Sequence, residues 1–402
     1  MQPINKLEQR KINKETQSKT LLSMSIFIFL MSIGEGLTAP AIPLYGDLLG
    51  SSYKQLGFLM TGYSIAFTFM TVTAGRISDK IGRKYLLLLS IILSVIASAG
   101  YYYSNLPSTL LIFRTLEGMS RGILWPIAET IVADNTNYDD RGKAIGRFTA
   151  AYGAGVTVGT LSGGYIMQFI DLTAVFPFYP ILSIIALIIV MAGVTEMKTE
   201  SNMHTIDTDS INSNAFIEEI KKIWPMCYVG FAYSGFLYSI WGLLSKVADI
   251  FGVSLWGIGI IFSLFWVMRL ITVLTTDKIA MIIGRKKLLI IGLGCSTLAT
   301  GIFLIANNFE FLIFAAIWGG IGTGIILPVN ITLISDSASE AYRGFSLGFS
   351  EFCMGIGMII QTALSGILGE LGGANYTYLF TFIVTLIAIP IALIFIQETE
   401  KS

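Results

Sequence analysis

Four charged residues interrupt an otherwise apolar stretch around residue 120: Arg114, Glu117, Arg121 and Glu129. At the centre of a membrane-spanning helix each such residue costs about 2.5 to 3.5 kcal/mol, so its side chain must face protein or water. Arg114, Arg121 and Trp125 share one helix face, with Glu117 beside it, because residues three and four apart are neighbours on a helix. We expect this face to line a central polar cavity.

Carboxyl groups in apolar stretches are the groups that can carry a proton through this chain. The only histidine, His204, lies in a polar stretch, which leaves Glu35, Glu117 and Glu351 as candidates, with Glu35 ranked first. Burial and a neighbouring arginine act on a carboxyl in opposite directions, so opening of a cavity or arrival of a substrate can change its protonation. Arg269 is a further residue expected at the cavity. The alternative reading is a structural network of arginines and glutamates that only holds the helices in place.

Neither a cofactor nor a metal is predicted. Cys227, Cys295 and Cys353 lie in apolar runs at irregular spacing, which gives no disulfide framework and no metal-ligand pattern. There is no GxxxxGK[ST] phosphate loop, so ATP is not expected to drive the protein. A net charge of zero gives no indication of a nucleic-acid partner. Without a nucleophile elbow or a cofactor fingerprint, the chain is not expected to be an enzyme.

The elements that must position these residues are long apolar runs. The chain is 54% hydrophobic and 13% charged, whereas an ordinary soluble domain is about 25% charged. A helix needs about 20 predominantly apolar residues to cross a bilayer. Twelve runs reach that length, approximately at residues 21–45, 55–75, 85–104, 108–133, 145–170, 174–195, 224–249, 254–276, 287–306, 310–334, 344–370 and 375–396. We therefore predict an all-α polytopic protein in a lipid bilayer.

The positive charges predict the orientation of the chain. Of the 26 Lys and Arg residues, Arg114, Arg121 and Arg269 lie well inside spans. Lys54 and Lys246 lie near or beyond the far ends of odd-numbered spans, and the remaining 21 lie near or beyond the span ends on the other side. Positively charged loops stay in the cytoplasm, which places both termini on the cytoplasmic side of the plasma membrane. The predicted segments are a tail (1–20), a first bundle (21–196), a cytoplasmic linker (197–223), a second bundle (224–396) and a second tail (397–402).

The second half repeats the first at a shift of 202 positions. The matched residues include Gly82, Arg83 and Lys84 with Gly284, Arg285 and Lys286, and Asp134 and Arg141 with Asp336 and Arg343. Self-similarity at a fixed shift indicates a repeated structural unit. Because six spans bring the chain back to the same side, the halves are parallel repeats with a site between them near the midplane.

Several motifs resemble those of the major facilitator superfamily. The segment Gly75-Arg-Ile-Ser-Asp79-Lys-Ile-Gly82-Arg83-Lys84 closely resembles the loop signature GxLaDrxGrk. Three further patterns resemble those of its twelve-helix drug:proton antiporters. They are GxxxxxPxxP at Gly34, Pro40 and Pro43; LxxxRxxqGxg at Leu110, Arg114, Glu117 and Gly118; and GxxxGPxxGG at Gly155, Gly159, Gly163 and Gly164, with Thr160 in place of proline.

The resemblance implies the major facilitator fold, with twelve helices in two pseudo-symmetric bundles, and it implies that Arg114 takes part in proton coupling. The glycines of the antiporter motif recur every four residues, so another helix can approach closely. We further expect a cytoplasmic gate whose ion pairs hold an outward-facing state. Its residues are Gly75, Asp79, Gly82, Arg83, Lys84, Asp134, Arg141, Asp336 and Arg343. The alternative for the charges is ordinary solvated loop residues.

These features predict a secondary active transporter that exports a small amphipathic or polar, zwitterionic molecule in exchange for protons. Drug-like amphiphiles and an endogenous product, such as a secreted metal-chelating metabolite, are both candidate substrates. The alternatives are a proton-coupled importer of a polar metabolite, a flippase for an amphipathic lipid-linked molecule, and a transporter-like sensor. One chain holds both halves, so a monomer suffices.

Overall fold

The computed structural model describes residues 6–137, 140–195, 213–339 and 342–398. These ranges contain helices and no strand. The helices are α1 (Lys6–Thr38), α2 (Ala41–Leu48), α3 (Tyr53–Ile81), α4 (Arg83–Tyr102), α5 (Pro107–Asp134), α6 (Arg141–Phe169), α7 (Phe178–Gly193), α8 (Ser213–Ile250), α9 (Leu255–Ile283), α10 (Arg285–Ile305), α11 (Phe309–Ser337), α12 (Arg343–Gly372) and α13 (Leu379–Phe395). Short 3₁₀ helices, Leu172–Val175 and Ala374–Tyr378, precede α7 and α13.

The predicted all-α fold is confirmed, and the first predicted span is divided into α1 and α2. Ala39 still donates its amide hydrogen to the carbonyl of Glu35 at 2.9 Å. Pro40 has no amide hydrogen to continue this ladder, so α1 ends and α2 begins at Ala41. The other predicted spans correspond in order to α3 through α13.

Ten helical segments within the described ranges are long and apolar enough to cross a membrane. The two predicted spans outside this set are α5 and α6. Helix α5 contains Arg114, Glu117, Arg121 and Glu129, and α6 is interrupted by many glycines. Both helices were predicted as spans from the length of their apolar runs. The charged residues of α5 and the glycines of α6 lower the mean hydropathy of these helices, and the charges of α5 require that its side chains face protein or water.

Helix α8 begins at Ser213, inside the segment predicted as linker. Glu219 anchors this part of α8, because its carboxylate accepts a hydrogen bond from the amide of Ser339 at 2.8 Å. The rest of the predicted linker, residues 197–212, lies outside the described ranges. The boundaries of the two bundles therefore stay a prediction.

Contacts at one end of the molecule repeat at the same shift of 202 positions. Gly82 and Gly284 join consecutive helices with φ angles of 94° and 92°, a conformation that favours glycine. The equivalent contacts of the two halves are Arg83 with Asp134 and Arg285 with Asp336, and Lys84 with the carbonyl of Met191 (2.9 Å) and Lys286 with that of Leu393 (2.8 Å). We call this end the Gly82 face. The same set of contacts therefore occurs in both halves at the Gly82 face.

The halves meet closely at the other end, which we call the Ser52 face after the residue that caps α3. A Cβ atom added to Gly57 of α3 would lie 2.7 Å from the Cα of Gly366 of α12. A Cβ atom on Gly164 of α6 would lie 2.7 Å from the Cα of Gly259 of α9. Gly259 follows Gly57 by 202 positions, and Gly366 follows Gly164 by 202. Two symmetry-related glycine contacts therefore close this face.

An ion pair adds to the closure of the Ser52 face. Lys246 Nζ of α8 lies 2.5 Å from a carboxylate oxygen of Asp47 of α2, so the pair joins the halves. A second link runs from the amide of Lys54 to the carboxylate of Glu370, at 3.3 Å. Both links must break if the halves separate at this face.

Toward the Gly82 face the halves part. A Cβ atom added to Gly153 of α6 would still lie 3.3 Å from Leu270 Cδ1 of α9, and one added to Gly355 of α12 would meet Thr68 of α3. Beyond them, on the same two helices, an added Cβ would meet no atom within 4 Å at Gly142, Gly146, Gly344 and Gly348. Because α6 and α12 make no contact with the other half at these four positions, we infer that a cavity between the halves opens on the Gly82 face.

Candidate functional site

Helix α5 places two buried arginines at different depths. The side chains of Arg114 and Arg121 are 6% and 5% exposed, and each forms an ion pair. Gly118, between them on the same face, packs against the backbone of Tyr63 of α3. The α5 face is therefore divided between packing on α3 and two separate charged clusters.

The cluster nearer the Ser52 face contains Arg114, Glu117 and Tyr101. Arg114 Nη1 pairs with Glu117 Oε2, and the Tyr101 hydroxyl of α4 donates to the same oxygen. The guanidinium of Arg114 also lies over the ring of Tyr63, 4.5 Å from its centroid, a favourable cation–π geometry. Arg114 Nη2 contacts the sulfur of Met60 at 3.2 Å. This cluster is enclosed, since Glu117 is 1% exposed.

The second cluster joins α1, α5 and α7 at the level of the cavity. Arg121 Nη2 lies 2.8 Å from Glu35 Oε2 and donates to the carbonyl of Met31 at 3.0 Å and to the hydroxyl of Tyr179 at 2.9 Å. The side chain of Glu35 is 15% exposed, against 1% for Glu117. Glu35 and Glu117 both pair with a buried arginine of α5, and Glu35 is the more exposed of the two.

Arg269 of α9 lies in the second half, among aromatic side chains. Its Nη2 donates to the Tyr233 hydroxyl at 2.6 Å, and its guanidinium lies 4.9 Å from the ring centroid of Trp266. Unlike Arg114 and Arg121, it has no carboxylate within 4.0 Å in the part of the chain that the structure describes.

A layer of aromatic rings connects the two halves between these clusters. Tyr152 of α6 packs edge-on against Trp125 of α5 at 5.0 Å and against Trp266 of α9 at 5.5 Å between ring centroids. Trp266 in turn contacts Trp241 of α8 at 5.7 Å. Tyr152 also lies close to the Glu35 carboxylate. The layer runs from Glu35 in one half to Trp266, next to Arg269, in the other.

Glu351 lies closer to the Gly82 face than this layer. It belongs to α12 and is exposed. Its charge acts on Glu129 of α5, which is half-buried, so the two carboxylates belong to the same region although they come from opposite halves. The third predicted proton carrier is therefore at the wall of the open cavity and away from the arginines of α5.

The residues predicted as a gate lie at the Gly82 face. Arg83 of α4 pairs with Asp134 of α5 within the first half, and Asp336 pairs with Arg285 within the second. Arg343 Nε donates to the carbonyl of Ser335 at 3.2 Å. Gly75, Asp79 and Arg141 are exposed. The structure brings Arg83 and Asp134 together while this face is open, and a gating role for the set stays a prediction.

The glycines of the antiporter motif pack mainly within the first half. Gly155 lies against Ser32 of α1, an added Cβ on Gly159 would lie 3.0 Å from the Cα of Gly36, and one on Gly163 would lie 2.9 Å from the carbonyl of Leu37. Gly164, the last residue of the motif, instead contacts α9 of the second half. Three glycines thus fix α1 on α6, and the fourth closes the Ser52 face.

Sequence reasoning missed the aromatic partners of the charged residues. They are Tyr101, Tyr179, Tyr152, Tyr233 and Trp266. Only Trp266 carried a usable signal, since it precedes Arg269 by three residues and so shares its helix face. The tyrosines come from other helices, and nothing in their spacing distinguishes them from packing residues.

Comparisons with known proteins agree with this architecture. The family model described as Major Facilitator Superfamily matches residues 24–244 and 226–402. "Multidrug resistance protein 2" of Bacillus subtilis is 23% identical over 403 residues, covering 98% of this chain and 99% of that protein. "Quinolone resistance protein NorA" of Staphylococcus aureus is 24% identical over 359 residues, covering 87% and 90%.

Solved structures show the same fold at lower identity. The nucleoside transporter NupG superposes with a TM-score of 0.72 at 17% identity, covering 94% of this chain and 98% of that chain. The inward open xylose transporter XylE from E. coli superposes with a TM-score of 0.74 at 15% identity, covering 94% and 97%. The predicted family is confirmed: this chain is a multi-pass membrane protein and a transporter of the major facilitator superfamily.

Proposed function

We propose that this transporter exports small amphipathic or zwitterionic molecules in exchange for protons, by alternating access, and that it works as a monomer in the plasma membrane without ATP. The observation that carries the proposal is the Glu35–Arg121 ion pair at the end of a cavity between the halves. The relatives named for multidrug and quinolone resistance support export of drug-like molecules.

The pair supplies a physical means of exchange. A deprotonated Glu35 attracts a cationic group of a substrate, and protonation of Glu35 removes that attraction. If protonation and substrate binding exclude each other at Glu35, the two must cross in opposite directions. A proton moving down about 100 mV releases about 2.3 kcal/mol, which sustains roughly a fiftyfold substrate gradient.

The direction of export follows from the proposed topology. With 21 of the 26 Lys and Arg residues on its side, the Gly82 face is cytoplasmic by the positive-inside rule. The cavity that opens on this face then accepts substrate from the cytoplasm. Separation of the glycine contacts at the Ser52 face then releases the substrate outside the cell.

Proton movement in inside-out vesicles tests the proposal. With a preformed acidic lumen, addition of a fluoroquinolone or of ethidium should release protons from vesicles with the wild-type protein. Glu35→Gln should abolish this release. Glu310→Gln, which changes an exposed carboxylate in the first turn of α11, is the matched control and should behave as wild type. Proton movement together with substrate would instead identify an importer, and substrate movement without protons a uniporter.

A further inference from the structure

We infer that Arg269 and Trp266 form a binding site for the anionic group of a planar substrate. The inference rests on the proposed export function, to which it adds a substrate class: an aromatic carboxylate or a zwitterion that contains one. The observation behind it is the difference between Arg269 and the two buried arginines of α5, Arg114 and Arg121.

Arg114 and Arg121 each have a carboxylate partner, whereas Arg269 has none within 4.0 Å among the residues the structure describes. A guanidinium removed from water without a counter-charge is costly, and such groups in membrane proteins mark substrate or ion sites. An anion arriving at Arg269 would complete an ion pair that the protein itself leaves open.

Arg269 Nη1 and Trp266 Nε1 are both buried, and neither has a hydrogen-bond acceptor among the described side chains and backbone. The guanidinium carbon of Arg269 lies 4.9 Å from the ring centroid of Trp266, so the two donors belong to one small region. Two neighbouring donors suit the paired oxygens of a carboxylate.

Leu270, the residue after Arg269, faces Gly153 where the halves first touch, so Arg269 lies at the inner end of the open cavity. Tyr233, Trp266 and, from the other half, Tyr152 present aromatic rings there. Flat rings favour a planar ligand body through stacking and edge contacts. A cationic group on the same ligand would find Glu35 beside Tyr152.

One other carboxylate, that of Glu351, lies in the neighbourhood of Arg269. Glu351 acts electrostatically on Tyr233, the tyrosine that accepts from Arg269. It is not within ion-pair distance of Arg269 in this structure. If Arg269 served only as a partner for Glu351 in another conformation, the Glu351→Gln and Arg269→Ala variants would have the same effect on every ligand.

Binding of two probes of equal shape tests the site without requiring transport. The purified protein in nanodiscs is titrated with 2-naphthoate and with the neutral 2-naphthamide, and tryptophan fluorescence quenching is measured. Wild type should prefer naphthoate. Arg269→Ala should weaken naphthoate binding roughly tenfold to a hundredfold and leave naphthamide binding unchanged, since hydrogen bonds to charged groups contribute about 1.5–3 kcal/mol. Arg269→Lys should restore part of the preference.

Trp266→Phe provides a variant that keeps an aromatic ring at this position and removes the indole N–H donor. It should weaken naphthoate binding by a smaller factor than Arg269→Ala and leave naphthamide binding unchanged. The inference is overturned if wild type binds neither probe, if it binds both equally, or if Glu351→Gln and Arg269→Ala change both probes alike. If naphthoate binds as expected but no substrate drives proton release in the vesicles, the anion site stands and the export function fails.

Discussion

Alanine at Gly57 should open the Ser52 face. An added Cβ would lie 2.7 Å from the Cα of Gly366, whereas ordinary contacts begin at 3.4 Å, so α3 and α12 must separate by about 0.7 Å. The nearest atoms are backbone atoms, which cannot rotate away as a side chain would. Overpacking of this kind costs about 1–3 kcal/mol. Because it acts only where the halves touch, it lowers the population of the state closed at the Ser52 face by roughly five- to 150-fold.

The distance across this face measures the effect. Spin labels on Leu48 of α2 and Leu371 of α12, both strongly exposed, report the separation of the halves by pulsed electron paramagnetic resonance. The background has the three cysteines replaced. In Gly57→Ala the distance distribution should move toward longer values than in wild type. Gly164→Ala should do the same, since its contact with Gly259 is the symmetry mate of the first.

The control is a glycine-to-alanine substitution that raises helix propensity in the same way but introduces no clash. Gly294 of α10 meets no atom within 4 Å of an added Cβ, and α10 packs mainly against α11 and α13 of its own half. Gly294→Ala should leave the distances unchanged. A Gly57→Ala protein with the wild-type distance distribution would refute the reasoning, and so would an equal shift in the control.

Three further predictions concern stability and closure. Lys246→Met removes the partly buried ion pair with Asp47 and should also move the distance distribution toward longer values. The population of the closed state should fall by up to about fivefold, since ion pairs near the surface contribute about 0.2–1 kcal/mol; high salt should reduce the difference between wild type and variant. Glu219→Gln should lower the thermal unfolding temperature in detergent, because a buried carboxylate loses strength as an acceptor for the Ser339 amide and hydroxyl; an unchanged temperature would contradict this. Lys84→Met and Lys286→Met should lower that temperature by similar amounts, since each lysine donates to a carbonyl near the end of a helix; a clear inequality would show that the two ends differ.

Much of the fold was predictable because apolar run length and the repeat both report on the backbone. The repeat predicted Gly82 and Gly284 as equivalent positions, and the structure gives the two glycines nearly the same positive φ. The start of α8 at Ser213 was missed, since its first turns are polar and carry no apolar run. The break at Pro40 was also missed, because the apolar run continues across it.

The site was predictable only in its charges. The spacing of Arg114 and Glu117 indicated a pair within one helix, and the structure contains it. The pairing of Arg121 with Glu35 depends on how α1 packs against α5, which no local pattern reports. The sequence also could not show that Arg269 has no carboxylate partner among the described residues, because that depends on how the helices of both halves pack.

The glycine contacts at the Ser52 face have a consequence for the origin of the fold. Gly57 meets Gly366 and Gly164 meets Gly259, so each half offers the same two positions and receives the same two. This is the pattern of an isologous interface, in which residue i contacts j and j contacts i. A single six-helix ancestor pairing with a copy of itself would need only two glycines to make both contacts. Gene duplication and fusion would then carry the closure into one chain without any new interaction.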